Sequence, residues 1–318
     1  GKARSSRYGN MIKSSVLNEV TQNLPSTDAK RLFHGRGGLF SGWEQVNIEI
    51  YPPVLWVIIY QEIDETNLLA MLEQFKLEAP GLNVEHIYIQ RRFISGNPVE
   101  VFYGDDSLLG VDFQVSEASL NYWVNLGKNQ NSGLFLDMSE GRRWVRKVSE
   151  GRSVLNLFSY TCSLGISAAA GAAQSVVNVD MAKNAIKRGQ QNLSINELAG
   201  SRVSFIAQDI FKMVKKINQK GPYDLLIADP PSFQSKAFDV RRDYTKLLQK
   251  FKPSLADDAT LMLCLNSPAL GEGFIKEVVA TVLPQAKFIE RLANPVVLAD
   301  NSKDASLKVL IFKMEPLV

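Results

Sequence analysis

From residue 153 to residue 266 the chain repeats one pattern: a short apolar run, a polar residue at its end, then a helix-length amphipathic stretch. The runs fall at 153–158, 175–180, 202–207, 224–229 and 260–266, with helical spacing at 165–173, 182–195, 210–218, 242–255 and 272–283. Two further runs follow at 287–292 and 308–314. Strands separated by a helix are too far apart for a tight hairpin, so they pair in parallel through crossovers, and the crossover has a preferred hand. The pattern predicts an α/β, Rossmann-like, seven-stranded sheet whose ligand crevice lies at the carboxyl ends of the first strands. Its clearest member is Asp224-Leu225-Leu226-Ile227-Ala228-Asp229-Pro230-Pro231. An unbroken apolar run is covered on both faces, and the two prolines cannot continue the ladder, so the strand stops with a carboxylate at its tip.

The part before this repeat has a different rhythm. Strand-like runs at 47–51, 54–60, 85–90 and 99–103 surround a helical stretch near 67–76, which predicts a smaller N-terminal α+β domain. The polar segment 127–132 marks the boundary, giving domains 1–126 and 127–318. A chain of 318 residues with 45% hydrophobic and 22% charged residues can bury two such cores. Its longest strongly apolar stretch, 54–60, is far below the ~20 residues that span a bilayer, and the basic opening from Gly1 to Lys13 has no signal-peptide core. The expected location is cytoplasmic, with no membrane partner. Two cysteines, Cys162 and Cys264, and two histidines, His34 and His86, make neither a disulfide framework nor a zinc cluster, so no metal is expected. A net charge of +3 does not identify a nucleic-acid binder by itself. Arg31, Arg36, Arg91, Arg92, Arg142, Arg143, Lys236, Arg241 and Arg242, interleaved with aromatics, are candidates to line one groove against phosphate; read singly, each is a solvated face.

Four strand ends carry polar residues in matching positions. The first run leads into Phe158-Ser159-Tyr160-Thr161-Cys162-Ser163 before a helix of small residues, so backbone N–H groups face any ligand there. The second ends in Asp180-Met181, where a carboxylate is placed to accept from two ribose hydroxyls. The third is followed by Gln208-Asp209, an acid suited to an exocyclic amine such as that of adenine, and the fourth ends in Asp229. A dinucleotide site needs G-x-G-x-x-G so that pyrophosphate can approach the backbone, and the first loop lacks it. Two acids without a phosphate cradle suit S-adenosylmethionine. Taken singly, Asp180 and Asp209 also read as helix caps.

The segments Asn156-Leu157-Phe158-Ser159-Tyr160-Thr161, Val179-Asp180-Met181, Asp229-Pro230-Pro231-Ser232-Phe233 and Phe238-Asp239-Val240-Arg241-Arg242-Asp243-Tyr244 resemble the signatures of bacterial 23S ribosomal RNA methyltransferases. The group is the one that includes the large-subunit cytosine-C5 enzyme and the guanine-N7 domain. Gly133-Leu134-Phe135-Leu136-Asp137-Met138, with Arg142-Arg143-Trp144 after it, resembles that group's hairpin before the sheet. The likeness runs over about 109–274. It implies a class I methyltransferase sheet, S-adenosylmethionine as cofactor, and RNA as partner, 23S rRNA or a precursor of the large ribosomal subunit. It also implies cofactor contacts from Phe158, Ser159, Thr161, Asp180, Met181, Asp209 and Asp229, and a reaction centre at Asp229 and Pro230. Where the group usually has glycine after Tyr-Thr, this chain has Cys162. If that backbone needs a positive φ, cysteine costs on the order of 1 kcal/mol.

Transfer to cytosine C5 needs a thiolate that attacks the ring. At the matching position after the fifth run stands Asn266, with Cys264 ~6.6 Å deeper along the strand, where it reads as a buried apolar thiol. A nitrogen target is therefore favoured: its lone pair needs alignment rather than a base, with Asn266 and Phe233 facing the base. Neither histidine suits a general base. Two other classes stay open: a cofactor-binding but catalytically silent RNA-binding or ribosome-assembly protein, and a nicotinamide oxidoreductase. The sequence leaves the modified nucleotide and the oligomeric state undetermined.

Overall fold

The computed structural model describes residues 2–198, 202–231, 233–234, 237–300, 302 and 305–316, with the side chains of 2–6, 233 and 234 left out. The chain forms two compact units, residues 1–137 with 295–301, and residues 138–294 with 302–318.

The first unit begins with helix α1 (Lys2–Thr21) and strands β1 (Lys30–His34), β2 (Val46–Tyr51) and β3 (Val54–Ile59). Helix α2 (Thr66–Glu78) then leads to β4 (His86–Arg91) and β5 (Val99–Tyr103). The five strands lie in chain order, all neighbours antiparallel except β3 and β4, which are parallel because α2 carries the chain across. Ile48, Ile50, Leu55, Val57 and Ile87 bury one face of this sheet against Leu68, Leu72 and Phe75 of α2, and Val16 and Val20 of α1 join the same core. That is the expected α+β domain, entered earlier than its pattern predicts.

Two differences concern its end. The hairpin is β6 (Asp112–Glu117) with β7 (Leu120–Asn125), not the 133–138 segment, which is a loop and 3₁₀ turn leading into the next helix. Its two-residue turn, Ala118 (φ 49°) and Ser119 (φ 69°), needs left-handed backbone at both positions. Such turns are usually signalled by Asn-Gly, and Ala-Ser carries no such cue. The unit also ends at 137 rather than near 127, because 127–137 folds back on it: Asn125 N–H donates to the Ser132 carbonyl, and the Tyr51 hydroxyl oxygen lies 3.0 Å from Ser132 Oγ. Residues 295–301 return to the same unit, where Ala299 closes over Gly37 and Asp300 lies 3.5 Å from His34 Nε2.

The second unit follows the alternating pattern: α3 (Ser139–Val148), β8 (Ser153–Leu157), α4 (Ser163–Ala170), β9 (Ser175–Asp180), α5 (Lys183–Ile195), β10 (Val203–Ala207), α6 (Val214–Gln219) and β11 (Tyr223–Ala228). A two-stranded piece, β12 (Phe233–Gln234) with β13 (Phe238–Asp239), precedes α7 (Val240–Phe251), β14 (Leu255–Leu265), α8 (Glu272–Val282), β15 (Ala286–Leu292) and β16 (Lys308–Met314). The sheet order is β10-β9-β8-β11-β14-β16-β15, with β10 through β14 parallel and β16 antiparallel to both its neighbours. Strand order reverses between β8 and β11, which places the ligand crevice there. Leu155, Leu157, Leu226, Leu261 and Leu263 fill one face with Leu247, Phe251, Ile275 and Val279; Val154, Leu225, Ile227 and Met262 fill the other with Val145 and Ala168.

Inside the sheet, Asn156 and Asn178 sit opposite each other and Asn156 Nδ2 donates to Asn178 Oδ1 at 3.0 Å. Gly165 of α4 lies directly on that amide, where any Cβ would overlap Asn178 Oδ1. Asn178 cannot retreat without losing its bond, so Gly165→Ala is expected to destabilise the second unit by about 1–3 kcal/mol, read as a lowered Tm. An unchanged Tm would mean the amide pair is not fixed.

Candidate active site

The loop after β8 sets the site. Phe158 (φ 56°), Tyr160 (φ 51°) and Cys162 (φ 68°) all adopt left-handed backbone, a conformation L-residues with a Cβ resist at about 1–2 kcal/mol each. Such strain persists only where surroundings over-determine it. Here Ser159 N–H donates to the Val179 carbonyl (3.0 Å), Cys162 N–H to the Ser159 carbonyl (2.7 Å) and Asn192 Nδ2 to the Thr161 carbonyl (3.3 Å). The loop is thus held open toward the ends of β9 and β10. The positive φ expected of a glycine position is present at Cys162, so the cysteine carries the strain anticipated for it.

Asp180 completes the loop. Its Oδ2 accepts the Tyr160 N–H at 2.9 Å and its Oδ1 the Ala182 N–H at 2.8 Å. Each carboxylate oxygen has two acceptor sites, so one on each remains for a ligand, a match to two vicinal hydroxyls. Asp209 does cap the 3₁₀ turn Ile210–Lys212, Oδ1 accepting from Phe211 N–H at 2.9 Å. Asp180 is not the cap of α5, whose N-cap is Ala182 without a side-chain bond, so the cap expected there is found at Asp209 alone, and a cap uses only part of that carboxylate.

One pocket brings together Phe158, Asp180, Met181, Asp209, Ile210, Ala237 and Phe238. Phe158 meets Phe238 edge-on at 4.9 Å, and Phe238 lies parallel to Phe211 at 6.4 Å. Apolar walls with a carboxylate at either end suit a nucleoside: adenine between Ile210, Phe158 and Phe238, ribose on Asp180. Ser159 and Thr161 do not line it. Both are buried beneath the loop, Ser159 Oγ receiving Cys162 Sγ–H at 3.5 Å, so they support the loop. Ile210, Ala237 and Phe238 were missed; Phe238 opens the quoted Phe-Asp-Val-Arg-Arg-Asp-Tyr segment, which was the available signal.

Asp229 and Pro230 follow β11, and Asn266, exposed, follows β14. Since Ala228 registers with Leu157 on one side and Leu263 on the other, these positions share one edge of the sheet with Phe158. The Tyr244 hydroxyl donates to the Cys264 carbonyl at 2.9 Å and ties α7 to β14 near that edge. Burial pushes the Tyr244 phenol well above its usual range. The backbone of Phe233 pairs with β13, while its side chain, and Lys236, lie outside the described residues.

The arginines separate. Arg142 is 3% exposed and its Nη1 donates to Ser163 Oγ, which places it in the interior beside α4 rather than at a phosphate-facing surface. Arg91 is held by Glu65 (2.6 Å) and Glu100 (3.5 Å). Arg242 forks onto Asp243 (2.7 and 3.0 Å), whose carboxyl it holds below the usual range while Asp243 accepts the Asp239 N–H. Arg241 and Arg143 are exposed, Arg143 facing Glu140 at 3.2 Å, and Arg92 lies over the Tyr60 ring. Among the described residues no group of three or more His, Cys, Asp or Glu is placed to hold a metal ion, and no helix is long and apolar enough to cross a membrane.

The strand order 3-2-1-4-5-7-6 and a nucleoside pocket with acids after the second and third strands define a class I methyltransferase. The chain belongs to the S-adenosylmethionine-dependent methyltransferase family, whose pattern matches residues 30–313, and S-adenosylmethionine is its cofactor. A putative S-adenosylmethionine-dependent methyltransferase from Streptococcus mutans superposes with a TM-score of 0.81 at 25% identity, covering 97% of this chain and 81% of that one. A putative methyltransferase solved in complex with S-adenosylhomocysteine gives 0.82 at 25% identity, with coverage of 97% and 80%. A ribosomal RNA large subunit methyltransferase K/L from Psychrobacter sp. (strain PRwf-1) is 36% identical over 159 residues, 48% of this chain and 20% of the relative. The chain thus spans about a fifth of that curated relative's length.

Two outcomes follow. Asp180→Ala removes the ribose acceptors and the pin on Tyr160 together; with bonds to charged groups contributing about 1.5–3 kcal/mol, S-adenosylhomocysteine affinity should fall at least about a hundredfold in calorimetric titration. Undiminished affinity would dismiss the assignment. Burial pushes the Cys162 thiol up to about 12, and Cys264 is fully buried too, so the native chain should resist iodoacetamide at pH 8 while the denatured chain takes it up at both. Alkylation of the native chain at Cys162 would contradict that burial.

Proposed function

We propose that the chain methylates a base of RNA, 23S rRNA in a bacterial large ribosomal subunit or its precursor, and that the acceptor is a nitrogen. The observation that carries this reading is the edge formed by Asp229-Pro230-Pro231 and Asn266 beside a nucleoside pocket, with both cysteines buried inside the unit. The segmental likeness to a large-subunit ribosomal RNA methyltransferase supports the substrate class.

Bound S-adenosylmethionine supplies a methyl group on a cationic sulfur. The chain's own part is placement. Asp180 fixes the ribose, Asp209 and the Phe158, Ile210 and Phe238 walls fix the adenine, and the strained loop presents its backbone without rearrangement. Pro230 has a locked φ, so the carbonyl and carboxylate of Asp229 project from a tip that does not flex. A guanine ring nitrogen with an in-plane lone pair brings its own nucleophilic electrons and sheds no proton, and Asn266 offers an amide with both donor and acceptor to orient the base edge. Alignment of this kind accounts for several kcal/mol of barrier without any proton relay. Carbon transfer would need a thiolate at the edge. Cys264 lies within β14, packed with Met262, Ile227 and Val309.

The test is transfer of labelled methyl from S-adenosylmethionine to ribosomal RNA, followed by nucleoside mass spectrometry. An N-methylated nucleoside from large-subunit rRNA is expected, with Asp229→Ala lowering the rate by about a hundredfold or more. A 5-methylcytosine product would overturn the nitrogen assignment. Cofactor binding with no label on any ribosomal RNA would favour the silent RNA-binding reading.

A further inference from the structure

The first unit contains a cleft of about 190 Å³ that is separate from the cofactor pocket. This is several times the ~30 Å³ share of one water. Its floor is the β2–β3 face: Trp56, Tyr60 and Ile58 are apolar or flat, and Arg31, Glu49 and Tyr51 stand beside them. The segment 125–137 forms the opposite side.

Charge decides what such a cleft can take. Arg31 donates through Nε and Nη2 to Glu49 Oε2 at 2.9 and 2.7 Å, and Glu49 Oε1 accepts from the Tyr51 hydroxyl. Burial opposes the Arg31 charge, yet Glu49 and then Asp137 hold it above its usual range. The lining therefore carries two cations, Arg31 and Arg92, against two anions, Glu49 and Asp137. A balanced cleft gives a phosphate no advantage and suits a neutral ligand.

The remaining groups specify a flat neutral ligand with donors and acceptors on its edge. Arg92 lies over the Tyr60 ring at 5.1 Å and Arg36 at 4.1 Å, a column of planar groups onto which another plane can stack. Arg92 is held there by bonds to Gln90 Oε1 and the Gln130 carbonyl. Around the rim stand four amides, Asn125, Asn129, Gln130 and Asn131. Asn125 is 8% exposed, its Nδ2 committed to Asp112 at 2.8 Å, while its buried Oδ1 accepts no hydrogen bond. A buried acceptor without a donor points to one supplied from outside. Aromatic and guanidinium planes with amide edges are how unpaired bases are read in RNA.

We infer that this cleft holds one unpaired nucleobase of the RNA, stacked on the Arg92 guanidinium that the Tyr60 ring backs and read at its edge by the amides of 125–131. The inference rests on the RNA reading above and adds where in the first unit a base is gripped.

The test uses the full chain with saturating S-adenosylhomocysteine, so that nucleosides cannot enter the cofactor pocket, and fragments of large-subunit rRNA transcribed with 4-thiouridine. Ultraviolet crosslinks are expected within 54–60 and 125–137. Tyr60→Ala should weaken fragment binding about tenfold, the size of one lost base stack, while Tyr60→Phe keeps it. S-adenosylhomocysteine affinity should be unchanged in both variants, which shows that the fold is intact. Binding by Tyr60→Ala equal to wild type, or crosslinks confined to other segments, overturns the cleft while leaving RNA as the substrate. If the unaltered chain binds no fragment at all, the RNA reading fails and the cleft falls with it.

Discussion

Two hydrogen bonds to one carboxylate organise the candidate site. Asp180 ends β9 and accepts from Tyr160 N–H with one oxygen and from Ala182 N–H with the other. The first bond crosses from β9 to the loop after β8, and the second starts the turn into α5. Without it, the chain from Phe158 to Cys162 would hold three left-handed non-glycine residues, a few kcal/mol of strain, with one fewer restraint. The same carboxylate keeps an acceptor site on each oxygen. Loop shape and the proposed ribose recognition therefore share a group, and neither can be changed alone.

The opposite side of the loop is set by small residues. Gly189 of α5 sits where a Cβ would overlap Cys162 Sγ and press on the Thr161 carbonyl. The helix comes that close only because the position is glycine, and the closeness lets Asn192, one turn on, reach the same carbonyl. Cys162 fills the space a glycine in the loop would leave. Its buried sulfur recovers part of the cost of its φ through packing and through its bond to Ser159 Oγ. A glycine there would relieve strain but enlarge the unfolded ensemble by about 0.5–1 kcal/mol, so the two nearly cancel.

What was legible in the sequence is what repeats or what chemistry limits. Seven apolar runs with crossover helices point to one doubly wound sheet, and the pocket that gathers Asp180, Asp209 and Phe158 lies at strand ends that such a sheet turns toward its crevice. Helix starts were less so: α7 begins at Val240 rather than 242 because Asp239 Oδ1 accepts from Arg241 and Arg242 N–H, a cap inside a motif already assigned to another purpose. Side-chain direction was not legible in the loop, where Ser159 and Thr161 turn inward under Phe158. The arginines show the same limit. Adjacent residues in β4 and just after it, Arg91 and Arg92, take opposite partners, glutamates for one and the Tyr60 ring for the other. A basic pair in a sequence says that charge is present, and the alternation of strand faces decides where it goes.

The far end of the proposed reaction edge depends on a buried lysine. Lys308 opens β16, where a strand reading places a solvated charge ahead of an apolar run. Antiparallel pairing sets it against Leu265, and its side chain is fully buried, with Nζ donating to the carbonyls of Ser267 and Ser306 at 3.0 Å each. An ammonium taken out of water is tolerated only when its donors are met. The Ser267 carbonyl belongs to the turn that follows Asn266, so the cation fixes that turn from beneath while Asn266 itself remains exposed. β11 stops because two prolines cannot extend it, and the turn after β14 is held because a buried lysine needs its carbonyl. The two strand tips that border the proposed acceptor are thus made rigid by unrelated means, one steric and one electrostatic.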